Sequence, residues 1–185
     1  MRTFIAIPLP KSCHEMLDKL QQNLRPFRAD LRLVAISSIH LTLKFLGEVD
    51  PKELPKLVEA LNAETNQEPA LSLCLRGIGC FPNLRNPRVI WCGIEGDTEK
   101  LVCLQEEVEN ACCDLGFDRE ERPFHPHLTL ARVNSKKNLQ ALSDYIRIGS
   151  DLQSEFSADH INVYRSTLTP HGAIYDILAT VPLKK

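Results

Sequence analysis

The tetrapeptide His-Leu-Thr-Leu occurs twice, at residues 40–43 and 127–130, and the two copies are separated by nearly half of the 185-residue chain. A short pattern repeated at that distance suggests two related lobes facing each other. On a strand, side chains at i and i+2 share a side. His40 and Thr42 then share one face, with Leu41 and Leu43 turned into a core. His127 and Thr129 do the same, backed by Leu128 and Leu130. A pseudo-twofold arrangement aims both imidazole–hydroxyl pairs into one cleft.

The surrounding sequence alternates helical and extended patterns. Helices are expected from a Ser12/Glu15 capping box through Leu24, from Asp50 through Leu61, from Asp97 or Thr98 to Gly116, and from Ser135 to Gly149. Extended runs are expected at 4–7, 71–75, 89–94, 161–164 and 173–180, with 81–87 as a loop and His171-Gly172 as a turn. No linker divides the chain, so residues 1–185 read as one domain. Mixed elements without regular β-α-β alternation indicate an α+β fold with antiparallel sheet.

Twenty-two Lys+Arg against 24 Asp+Glu give a net charge of −2, which excludes a globally basic nucleic-acid binder but leaves room for a local basic groove. No apolar run is long enough to cross a bilayer, and Met1–Pro8 is too short for a secretory signal. Seven cysteines, an odd number without a C-x-x-C, suit reduced thiols and a cytoplasmic protein.

Two histidines and two hydroxyls are what in-line hydrolysis of a phosphodiester requires: a base on the attacking oxygen and an acid on the leaving oxygen. Histidine serves in either role near neutral pH. Threonine hydroxyls bind the non-bridging oxygens, and neither metal nor cofactor is needed. The rival reading joins His125 and His127, with His40, as metal ligands; it leaves both threonines unexplained. His125 reads instead as the strand entrance, held extended by Pro123 and Pro126. His14 reads as solvated on a helix, and His160 and His171 as edge residues.

The paired His-x-Thr strands resemble the two-histidine phosphoesterase superfamily, and most nearly its RNA 2',3'-cyclic phosphodiesterases, historically 2'-5' RNA ligases. The resemblance also covers residues 2–7, 44–47, 88–93, 124–132, 163–166 and Tyr175. It implies a bilobal α+β fold, with antiparallel sheets lining a central cleft and helices outside. It implies opening of an RNA-terminal 2',3'-cyclic phosphate to a 2'-phosphomonoester. By position His40 matches the proton donor, His127 the acceptor, and Thr42, Thr129 and Arg132 the phosphate contacts.

Strict alternation sets Arg132 opposite His127, so a bulge or strand end must re-aim it. The same alternation puts Lys44 on the His40 face. Phe4 and Trp91 read as core or as stacking partners for a base, with Tyr164 and Arg165 as weaker candidates. Expected partners are RNA 3' ends or small nucleotides bearing the cyclic phosphate, with no membrane, and the expected state is a monomer. The alternative functions are 2'-5' ligation by the reverse reaction and a non-catalytic RNA-end-binding module.

Overall fold

The computed structural model describes residues 1–65, 68–170 and 172–184. Their order is β1 (Arg2–Ile7), α1 (Lys11–Leu24), β2 (Leu31–Leu33), β3 (Leu41–Glu48), α2 (Leu54–Thr65), β4 (Leu71–Phe81), β5 (Val89–Gly96), α3 (Thr98–Asp114), β6 (His127–Val133), α4 (Leu139–Ile148), β7 (Gln153–Ala158), β8 (His160–Thr169) and β9 (Gly172–Pro182). The fold is α+β with two antiparallel sheets, a four-stranded one ordered β3-β1-β8-β9 and a five-stranded one ordered β2-β6-β5-β4-β7.

Helix boundaries depart from the expected caps. Pro10, with φ fixed at −71°, precedes α1, so Ser12 lies inside the helix rather than at its start. Asp50 caps a 3-10 turn at Pro51–Glu53, accepting from the Lys52 N–H at 2.9 Å, and α2 follows. Asn138, not Ser135, precedes α4, and Gly149 ends it at a φ of +92°. The His171 turn lies outside the described residues.

On α1, Met16, Leu17, Leu20 and Leu24 form the expected stripe, each at most 6% exposed. Burying such side chains contributes roughly 1.5–3 kcal/mol apiece. The helices are exchanged between the sheets. Helix α1 leaves β1 of the four-stranded sheet but packs on β6 and β7 of the other; α3 connects two strands of the five-stranded sheet and packs on β4 of that sheet and on β3 of the first. With α2 against β9 and α4 against β4, each sheet has one face covered by helices. The opposite faces line the cleft.

Both motif strands carry a bulge at the same place. In the β1–β3 ladder Ile5 opposes Lys44 and Ala6 opposes Thr42, so Leu43 is the extra residue. In the β5–β6 ladder Ile90 opposes Ala131 and Trp91 opposes Thr129, so Leu130 is extra. Each bulged residue's carbonyl is met by a buried glutamine from the exchanged helix. Gln21 of α1 donates to Leu130 O at 2.9 Å and to Val34 O at 2.7 Å. Gln105 of α3 donates to Leu43 O over a looser 3.5 Å. Leu130 O also accepts from the Val34 N–H at 2.9 Å, so Gln21 adds a second bond that ties α1 to the bulge.

Candidate active site

A bulge shifts the strand's alternation by one residue beyond it. In β6, His127 opposes Gly93, Thr129 opposes Trp91 and Arg132 opposes Val89. Residues 89, 91 and 93 of β5 share a face, so His127, Thr129 and Arg132 do too. Leu128, Leu130 and Ala131 are buried behind them. This is the re-aiming that the sequence required of Arg132.

In β3 the same shift works the other way for Lys44. His40 precedes the strand, Thr42 opposes Ala6, and Phe45 opposes Phe4 on the cleft face. Lys44 is turned to the helical side. It lies buried in an ion pair with Glu109 of α3 and donates to Asp118 O at 2.8 Å. The expectation that Lys44 shares the His40 face fails because Leu43 is bulged.

His40 sits in a box of aromatic rings. Phe4 stacks on it with centroids 4.6 Å apart, Tyr164 lies beyond at 5.7 Å, and Tyr175 meets it edge-on at 5.0 Å. Phe4 is 2% exposed, so it supports His40 and offers no face to a base. Tyr175 and Tyr164 reach His40 from β9 and β8 through the sheet register, a placement with no local sequence signal. Arg165, one residue beyond Tyr164, is ion-paired to Asp176 at 2.8 Å on the other face.

Desolvation by these rings lowers the His40 imidazole from its ordinary 6.5 to about 4. Between those two pH values the unfolded chain takes up a proton that the folded His40 refuses. Its contribution to stability therefore falls as pH drops from 6.5 towards 4. We expect NMR titration of His40 in the free protein to show a neutral ring down to about pH 4. A midpoint near 6.5 would contradict the box. An added phosphate analogue is expected to move the midpoint upward.

His127 has different surroundings. Its Nδ1 lies 2.7 Å from the carbonyl of His125. A carbonyl can only accept, so Nδ1 carries a proton, and in the neutral ring the lone pair is on Nε2. His125 thus acts through its backbone, and its ring is exposed. Phe81 meets His127 edge-on at 5.1 Å and lies 5.3 Å from Trp91. The Trp91 ring covers Gly79, where an added Cβ would lie 2.2 Å from it, so only glycine fits. Trp91 is half-buried on the cleft face beside Thr129. The Thr42 and Thr129 hydroxyls bond to no described residue.

Two other described histidines, His14 and His160, lie elsewhere. His14 is half-buried rather than solvated, because it flanks the Leu17–Gln21 stripe of α1; its Nε2 approaches Ile39 O at 3.4 Å. His160 pairs with Asp159 at 2.6 Å. Among the described residues no three His, Cys, Asp or Glu side chains converge as a metal-ligand set.

The family model of the 2'-5' RNA ligase superfamily matches residues 8–169. The chain belongs to that superfamily. It is 39% identical over 179 residues to an RNA 2',3'-cyclic phosphodiesterase of Methanocaldococcus jannaschii, covering 96% of this chain and 98% of the relative. It is 36% identical to a Thermotoga maritima protein of the same name, covering 96% and 93%. Among solved structures, E. coli LigT complexed with 3'-AMP superposes with a TM-score of 0.81 at 26% identity, over 100% of this chain and 98% of that one. TT0787 of Thermus thermophilus gives 0.80 at 29% identity, over the same shares. Membership therefore spans both motif strands and both sheets.

Proposed function

We infer that this protein is an RNA 2',3'-cyclic phosphodiesterase, a single domain of two related lobes that opens the terminal cyclic phosphate to a 2'-phosphomonoester. The observation that carries the reading is the matched pair of half-sites: two His-x-Thr strands, each bulged at the third residue after its histidine, on the uncovered faces of two sheets. Relatives bearing that activity's name support it over nearly the whole chain.

Water attacks phosphorus as His127 Nε2 takes its proton. The phosphorus–O3' bond breaks as His40 protonates the leaving oxygen. Thr42, Thr129 and Arg132 hold the non-bridging oxygens, where negative charge gathers in the transition state. The free Nε2 lone pair supports the acceptor role of His127. Burial disfavours the charged His40 ring in the free protein, and the negative charge of a bound phosphodiester favours its taking up a proton from solvent, which it then passes to the leaving oxygen. Acid, base and anion binding all come from side chains, so the scheme calls for no metal ion.

Substrates of this reading are RNA 3' ends or small nucleotides with a cyclic phosphate, met by a monomer. The seven thiols are unpaired, which supports a reducing cytoplasm. No helix among the described residues is long and apolar enough to cross a membrane.

The test is a short RNA ending in 2',3'-cyclic phosphate, incubated with the protein and EDTA, with the 2'- and 3'-phosphates resolved by chromatography. The expected product is the 2'-phosphate alone. A 3'-phosphate product reverses the leaving-group assignment, loss of activity in EDTA implicates a metal, and joined RNA ends reveal ligation.

A further inference from the structure

We propose that Arg32, beside the Arg132 that holds the terminal phosphate, binds the phosphodiester linkage next to the terminal nucleotide, making an oligonucleotide end the preferred substrate over a mononucleotide. The proposal rests on the phosphodiesterase reading and names its substrate class.

The β2–β6 ladder sets Arg32 directly opposite Arg132. Directly opposed residues on antiparallel strands share a face, so Arg32 joins His127, Thr129 and Arg132 on the cleft side. Its neighbours Leu31 and Leu33 pack against the core, while Arg32 and Arg132 are both exposed. Like charges facing each other across a ladder are destabilising. Neither guanidinium has an ion pair or hydrogen bond among the described residues. The nearest carboxylate along β2, Asp30, is engaged by Asn134 Nδ2 at 3.1 Å. Two unpaired arginines held side by side match the planar, bidentate demands of phosphate oxygens.

The position of Arg32 suits a second phosphate. Arg132 meets the terminal phosphate with His127 and Thr129, and Arg32 lies one strand farther out on the same face, about 5 Å beyond Arg132. The facing sheet offers a different surface. Phe45, Leu168 and Ile177 are exposed there at 69%, 68% and 59%, and the register turns all three to the cleft. Apolar faces on one wall and paired cations on the other divide bases from backbone.

The experiment compares kcat/KM for a mononucleotide 2',3'-cyclic phosphate and for a dinucleotide ending in the same group, in wild type and Arg32→Gln. Wild type is expected to prefer the dinucleotide, and the substitution to cut that preference by about tenfold. Equal losses on both substrates, or no wild-type preference, would overturn the proposal.

Binding of an RNA hexamer ending in the 2'-phosphate is measured alongside, across salt concentrations. Removing one phosphate contact to a single strand is expected to lower the salt slope by about 0.7. An unchanged slope overturns the Arg32 assignment whether or not turnover occurs. A reduced slope with no hydrolysis of either substrate by wild type overturns the phosphodiesterase reading alone.

Discussion

Replacing His127 with alanine is expected to lower kcat on a cyclic-phosphate RNA by about 10²–10⁴-fold, the range that positioned proton transfer supplies. KM is expected to move only a few-fold, because Thr42, Thr129 and Arg132 remain to hold the phosphate. His40→Ala is expected to fall in the same range. The double variant should lie close to either single one, since acid and base act in one transition state. Steady-state kinetics with a leaving group of low pKa separates the two roles. An ester whose leaving oxygen needs no proton should restore much of the rate to the His40 variant and none to the His127 variant. Retention of kcat within tenfold in both alanine variants would remove the paired-imidazole mechanism.

The second large effect concerns stability. Lys44 and Glu109 form an ion pair in which both side chains are at most 5% exposed. Taking away one partner strands a charge in the interior, at a cost of about 3–5 kcal/mol. Lys44→Met is expected to lower the melting temperature by about 2–4 °C per kcal/mol for a chain of this size. The double variant Lys44→Met, Glu109→Leu should recover most of that loss, because it leaves no charge unpaired. Chemical denaturation measures both. Equal instability in the single and double variants would assign the cost to packing instead. Glu109 also accepts from the Glu120 N–H at 2.9 Å, and Lys44 donates to the Asp118 carbonyl. The pair therefore ties down the segment that leads into His127, and the single variant is expected to lose kcat as well as stability.

The shared strand faces of His40 with Thr42 and of His127 with Thr129 were legible in the sequence because two independent periodicities agree on them: strand alternation and duplication at half-chain spacing. Arg132 and Lys44 show where alternation stops being readable. Each lies just past a bulge, and nothing in Leu-Thr-Leu marks the extra residue. For Arg132 the resemblance demanded a shift of phase; for Lys44 nothing did, and the reading put it on the wrong side. The contacts at each bulge are remote in sequence: Gln21 bonds Leu130 O and Gln105 bonds Leu43 O, each from a helix far along the chain. The rings around His40 converge from β1, β8 and β9, again through register.

Among the strands, β2 and β7 were missed for local reasons. The first has three residues, and the second, Gln-Ser-Glu-Phe-Ser-Ala, is a polar edge strand with little apolar pattern. The family resemblance anticipated the cleft between the lobes. The exchange of α1 and α3 between the sheets had no counterpart in any local pattern.

That exchange bears on how the protein can move. A hinge needs a waist, a place where few segments pass from one half to the other and can flex together. Here the backbone crosses between the halves repeatedly, and each crossing helix is bolted by a buried amide to the strand it visits. Opening the jaws widely would mean breaking into the one buried core that both sheets share. Wide separation of the two His-x-Thr strands is consequently resisted by the same buried contacts that hold the fold.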